Sequence, residues 1–314
     1  MKGSQFQKIV AGSRLTLPAT SLYGLAIWFI GGLMTHQWWI QLVCFVLACY
    51  LMVLLTNFNA LIRVYSRSIS SAFIILSCVA CFLFPSLEGN IVTLGLVASL
   101  TTLFATYQDR DAAGWIYYTF LILGLASVAI VHTLLLLPIY WIMMVFLSSL
   151  SLRTFIASLL GVLTPYWVGI AAVLVLYKGD PSPFTSHFAP LTEIRFFSAY
   201  GSIPLAHYLT YAFLVTLTIT GIIHFIRTSY YDKIRTRQLY YSIMFFDIVV
   251  LVFLPLFPQY YDFLFRPAII LTSPLIGHFV ALTHTKVTNI AFYLILAAAL
   301  LLTGFNLWTS LFIS

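Results

Sequence analysis

Apolar runs separated by short polar stretches repeat along the chain from Leu17 onward, and several, such as LILAAALLLTGFNLW, are apolar on every side. A helix rises about 1.5 Å per residue, so about 20 such residues cross a hydrocarbon layer of roughly 30 Å. Lipid cannot satisfy a bare backbone, and a β-barrel would need short segments of alternating polarity that these runs lack. The pattern therefore predicts an all-α integral membrane protein. Its helices fall at 17–34, 39–56, 69–85, 91–106, 114–130, 133–149, 154–177, 203–226, 239–257, 268–284 and 288–308, a polytopic bundle of eleven spans forming a single transmembrane domain over 1–314. Between the fifth and sixth runs the only polar interruption is at Val131 and His132. One helix over Gly114–Ser149 would be about 54 Å long, so a tight hairpin is expected there.

Charge orients the bundle. With the N-terminus cytoplasmic, Lys2, Lys8, Arg14, Arg63, Arg67, Arg110, Arg153, Arg227, Lys233, Arg235, Arg237 and Lys286 fall inside, and only Lys178, Arg195 and Arg266 fall outside. Twelve against three is a strong positive-inside bias, and losing or adding one span would scatter it. The C-terminus is then periplasmic. Composition agrees: 62% of residues are hydrophobic and 7% charged, far from a soluble protein. The net charge of +7 is spread in ones and twos between spans, so it marks topology and contact with the lipid bilayer; no nucleic acid is implied. Residues 1–18 contain no signal-peptide core with a cleavage site, and the first run is read as a retained helix.

Two connecting segments are longer than the rest. The outer loop 178–202 (KGDPSPFTSHFAPLTEIRFFSAYGS) carries three prolines, which oppose one continuous helix. Its phenylalanines suit an interfacial loop, while His187, Glu193 and Arg195 would be the polar tools of a lid or substrate platform. The cytoplasmic loop 227–238 (RTSYYDKIRTRQ) is basic and tyrosine-rich.

Ser151–Trp167 (SLRTFIASLLGVLTPYW), with Gly124–Ala126 (GLA) before it, Asn57–Asn59 (NFN) after the second run and Leu271–Gly277 (LTSPLIG) near the end, resembles an uncharacterised family of multi-spanning inner-membrane proteins of about 300 residues from Bacteroidetes-type bacteria. The resemblance implies a multi-pass bacterial inner-membrane protein and brings no established reaction with it.

One charged residue is expected deep in a span. Asp247 lies about eight residues into the ninth run, and an unpaired carboxylate there costs at least a few kcal/mol, so it must be protonated, paired or facing a wet cavity. His278, on the next and antiparallel run, is expected at a similar depth and could meet it. Pro274 and Pro165 each free a backbone carbonyl inside a span, of Ile270 and Gly161, which puts polar backbone at membrane depth. An acid, an imidazole and two broken helices are the ingredients of a transporter's midplane site and a proton relay. The bland alternative has Asp247 bonded to threonine hydroxyls, with Thr216, Thr218 and Thr220 as candidates, merely fixing helix packing.

Other chemistry is thin. Cys44 and Cys49 are expected level with Cys81 and Cys78 on neighbouring runs, where small buried core residues explain them better than thiol chemistry or a metal site. Gln108–Asp111 (QDRD) reads as a solvated turn. No metal motif, phosphate loop, nucleophile elbow or cofactor signature is present. Three classes remain: transport of a small or lipidic substrate; a polymerase or ligase acting on lipid-linked glycans at the outer loop; and a non-enzymatic membrane scaffold or assembly subunit. A glycosyltransferase with an acid in its first outer loop is disfavoured, since that loop is only Thr35–Trp38 (THQW).

Overall fold

Every apolar run of the sequence folds as helix in the computed structural model, which describes residues 6–178, 180–192, 195–198, 200–283 and 285–312. In chain order the helices are α1 (Phe6–Gly12), α2 (Thr16–Ile30), α3 (Leu33–His36), α4 (Trp39–Asn59), α5 (Ser68–Val79), α6 (Leu87–Phe104), α7 (Ala113–Ala129), α8 (Leu137–Phe146), α9 (Leu152–Leu176), α10 (Ser182–Ser186), α11 (Leu205–Thr228), α12 (Ile234–Leu256), α13 (Tyr261–Leu282) and α14 (Lys286–Phe312). Among the described residues, seven of these, α4, α6, α9 and α11 to α14, are long and apolar enough to cross a membrane; α2, α5, α7 and the segment Val131–Phe146 are apolar but shorter. The chain is an all-α, multi-pass membrane protein.

Successive helices run in alternating directions, and side-chain contacts show it. At one end of the bundle, Arg235 at the start of α12 donates to Asn59 at the end of α4 (2.9 Å) and to the Phe104 carbonyl at the end of α6. Ser68 at the start of α5 donates to the Gly277 carbonyl near the end of α13 (2.8 Å). The expected hairpin is present: the backbone turns extended at Ile130, and the Leu147 carbonyl after α8 accepts the N–H of Gln108, which precedes α7 (2.8 Å). QDRD is a turn, with Asp109 accepting from the Asp111 N–H and Asp111 facing an exposed Arg153.

The bundle is organised around α13. Of its apolar window 94% is buried, against 22–56% for the other six long helices. It packs on α5, α11, α12 and α6. A central helix has no lipid-facing side, so it can carry polar residues that a peripheral one could not, and α13 carries Arg266, Thr272, Ser273 and His278, all buried.

Two sequence boundaries are corrected here. Helix α13 begins at Tyr261, not residue 268, and this brings Arg266 inside the bundle. Only 4% exposed, its guanidinium donates to the Leu83 carbonyl (2.8 Å) and the Thr93 hydroxyl (3.2 Å), so it is no part of an outer loop. Gly89 makes the room: a Cβ there would stand 2.2 Å from the guanidinium carbon. Gly89→Ala is therefore expected to push Arg266 off its acceptors and cost about 1–3 kcal/mol. Thermal unfolding in detergent checks this, and an unshifted midpoint would contradict it. The second correction is the basic loop 227–238. Helix α11 continues to Thr228 and α12 starts at Ile234, leaving a single 3-10 turn, Ser229–Tyr231, and two residues between them.

Candidate functional site

Asp247 sits on α12 and is fully buried. Its carboxylate meets one threonine from each flanking helix. Thr218 on α11 donates to Oδ2 at 2.8 Å, Thr272 on α13 lies 3.2 Å from Oδ2 and 3.4 Å from Oδ1, and the two hydroxyls are 2.9 Å apart. Helical periodicity selects Thr218 from the three candidates. Thr216 and Thr220 lie on another face and turn their hydroxyls back to the carbonyls four residues before them, Ala212 and Thr216. Thr218 and Thr272 turn theirs toward Asp247 and each other, so the acid is fastened to both neighbours of its own helix.

A crevice reaches this triangle from the side. Between helices α11 and α12, Val215, Ile219, Ile222, Ile223, Ile248 and Val252 line a crevice of about 520 Å³ with Thr218 among its walls. Ile219, Ile223, Ile248 and Val252 are about half exposed, so the crevice opens on the apolar exterior of the bundle. At one end Tyr211 bridges the helices by donating to the Leu251 carbonyl (3.0 Å), and Phe197 closes over it through its N–H to the Leu256 carbonyl (3.0 Å).

His278 does not join Asp247. Its Nε2 lies 3.1 Å from Asp232 Oδ2, in the turn before α12. The equal depth expected from the sequence fails because α12 begins five residues before its apolar run and α13 ends two residues before the end of its own. Asp247 is thirteen residues into α12, about 20 Å, whereas His278 is four residues from the end of α13, about 6 Å. At the level of His278 stand Tyr240, which donates to the Pro274 carbonyl (3.3 Å), and His224, whose ring centre is 5.3 Å from that of His278. Arg63 completes this second cluster, 3.6 Å from the other oxygen of Asp232 and stacked over Tyr231. Sequence reasoning passed over Asp232 although it is the one acid in a basic stretch. That oddity was the available signal.

Pro165 is also elsewhere. It lies in the seam between α7 and α9, where a Cβ on Gly124 would stand 3.1 Å from its ring. Its neighbour Tyr166 bonds the Ser127 hydroxyl (2.7 Å). In the outer loop, His187 is half-buried, with Nε2 3.2 Å from the Ser127 carbonyl and its ring beside Phe188. Arg195 is exposed, and its backbone lies against the Gln259 side chain beyond α12. The two are tied to different parts of the bundle; Glu193 lies outside the described residues. In the same loop, Asp180 accepts from the Ser182 N–H and hydroxyl, which hold its carboxyl below the ordinary aspartate value.

The four cysteines are free, and Cys44, Cys78 and Cys81 are buried. His132, His207 and His224 are each under a tenth exposed, and packed rings surround them. Among the described residues no cluster of three or more His, Cys, Asp or Glu side chains could hold a metal ion. No family model, curated protein or solved structure matches the chain.

Proposed function

We propose that the chain is a bacterial inner-membrane transporter of a small or lipidic substrate, with Asp247 as its working residue. The observation that carries this is the buried carboxylate held by Thr218 and Thr272 at the wall of a crevice open to the bilayer. A lipidic substrate would reach Thr218 through that crevice without passing through water. Ionisable groups at membrane depth are the usual material of transport sites, although α13 runs unbroken through Pro274. The eleven apolar segments, alternating in direction, support eleven crossings with the N-terminus in the cytoplasm, and the positive-inside bias becomes twelve against two once Arg266 is placed within α13. Resemblance to the inner-membrane family supports the location. The relay is redrawn as two separate stations along α13: Asp247 of α12 against Thr272 at its middle, and His278 with Asp232 near the basic end.

The test uses proteoliposomes with two probes, a headgroup-labelled phospholipid whose flipping is read by quenching and an internal pH-sensitive dye. Wild type is expected to accelerate label movement or substrate-dependent acidification, and Asp247→Asn to lower the rate at least tenfold while folding normally. Equal rates for wild type and Asp247→Asn with both probes would remove Asp247 from any transport role.

A further inference from the structure

The oxygen triangle at Asp247 can be counted for hydrogens. Its three edges, Thr218 Oγ to Asp247 Oδ2 at 2.8 Å, Thr218 Oγ to Thr272 Oγ at 2.9 Å and Thr272 Oγ to Asp247 Oδ2 at 3.2 Å, are each of hydrogen-bond length. Each edge needs one hydrogen. A threonine hydroxyl supplies one, and an ionised carboxylate supplies none. Two hydrogens cannot fill three edges, and with an ionised Asp247 one edge would set lone pair against lone pair inside an interior where nothing screens them. A hydrogen on the carboxyl group closes the ring, each oxygen donating once and accepting once.

We infer that Asp247 is a proton-binding site, occupied in this conformation, and that the ligand the triangle holds and releases is a single proton. This names the coupling ion of the transport site proposed above and rests on that reading for its use; the protonation itself does not. Binding adds H⁺ to the carboxylate to give the neutral acid, and release reverses it.

The surroundings agree. Among the described residues, no basic side chain faces Asp247 from any element packed on it. On α13 the nearest charged or titratable groups are Arg266 and His278, each six residues from Thr272, about 9 Å along the axis, and both are engaged with other partners. On α11, His224 is six residues past Thr218 and lies against His278. On α12, Tyr240 is bonded to the Pro274 carbonyl, and Tyr140 of α8 to Ser99. A carboxylate with no counter-charge at this depth would cost several kcal/mol, which a bound proton removes. The two threonines are what would make the site exchangeable, since their hydroxyls can rotate to donate to the carboxylate once the proton has left.

Infrared spectroscopy of the protein in lipid, with ¹³C-aspartate labelling, reads the proton directly. Wild type at neutral pH is expected to show one protonated-carboxyl band that shifts with the label and on exchange into D₂O, and Asp247→Asn is expected to lack it. Because the asparagine amide both donates and accepts, this variant should also keep the wild-type unfolding temperature. Absence of the band in labelled wild type, whether or not any variant folds, would overturn the proposal. So would a missing band accompanied by stabilisation on adding sodium, since a small cation would then fill the proton's place. The outcomes separate from those of transport: a band without transport leaves the proton site standing, while Asp247-dependent transport without a band leaves only the transporter.

Discussion

His278→Ala is expected to destabilise the protein by about 3–5 kcal/mol, the cost of leaving a buried charge without its partner. The Asp232 side chain is 2% exposed and that of His278 is not exposed at all, so the 3.1 Å contact between them is fully desolvated. Arg63, at 3.6 Å and one-third exposed, cannot substitute, because a partly solvated ion pair contributes only about 0–1 kcal/mol. Deleting the imidazole also opens a hole among the rings of His224, Phe225 and Tyr240, whose centres lie 5.0–5.3 Å away. Asp232→Asn keeps an acceptor for Nε2 and should cost about 1 kcal/mol. In a double-mutant cycle, His278→Ala with Asp232→Ala should lose clearly less than the sum of the two single changes, since the second removes the charge that the first strands. Reversible unfolding in mixed micelles measures all four proteins. Additive effects would mean that the pair does not hold the α12 entry turn to α13.

That pair shows where the sequence was legible and where it was not. Apolar length alone locates the seven long apolar helices and the four shorter ones among the described residues, because a bilayer permits few other solutions, and the hairpin at Val131 and His132 follows from the excessive length of a single helix. What hydropathy cannot show is how far a helix extends into polar sequence. Arg235, Thr236 and Gln238 continue α12 toward its start because Arg235 finds Asn59, and Arg266 enters α13 because Leu83 and Thr93 receive it. The first extension sets Asp247 deeper, and the earlier end of α13 at Leu282 leaves His278 level with Asp232 in the turn before α12. The threonine partners of Asp247 were partly legible, as Thr218 was among three candidates, but Thr272 depends on how α13 is rotated about its axis, which no pattern in a wholly buried helix reveals. Asn57–Asn59 and Leu271–Gly277 are contact points, with Asn57 and Asn59 receiving arginines, Thr272 facing Asp247 and Gly277 receiving Ser68.

Gly161→Val is expected to break the α7–α9 seam and to cost at least about 3 kcal/mol, with unfolding or loss of expression as the practical result. Lipid tails are as apolar as leucine, so helices in a bilayer associate through close packing and small residues more than through hydrophobic burial. At this seam, a Cβ on Gly161 would stand 2.5 Å from the Tyr117 carbonyl oxygen and 3.0 Å from the Leu121 nitrogen, and one on Gly124 would stand 2.9 Å from the Val162 carbonyl. These neighbours are backbone, which cannot rotate aside as a side chain can. Overpacking ordinarily costs about 1–3 kcal/mol because neighbours give way; here the helices themselves must separate, and the Tyr166–Ser127 bond separates with them. Gly304 is the internal control. It lies inside α14 with nothing within 4 Å of its would-be Cβ, so Gly304→Ala meets no clash and gains helix propensity, raising stability by up to about 1 kcal/mol. Opposite signs for adding a side chain at two helical glycines, read from thermal unfolding in the same detergent, would establish a close backbone contact between α7 and α9, and a destabilised Gly304→Ala variant would refute the open surface assigned to α14.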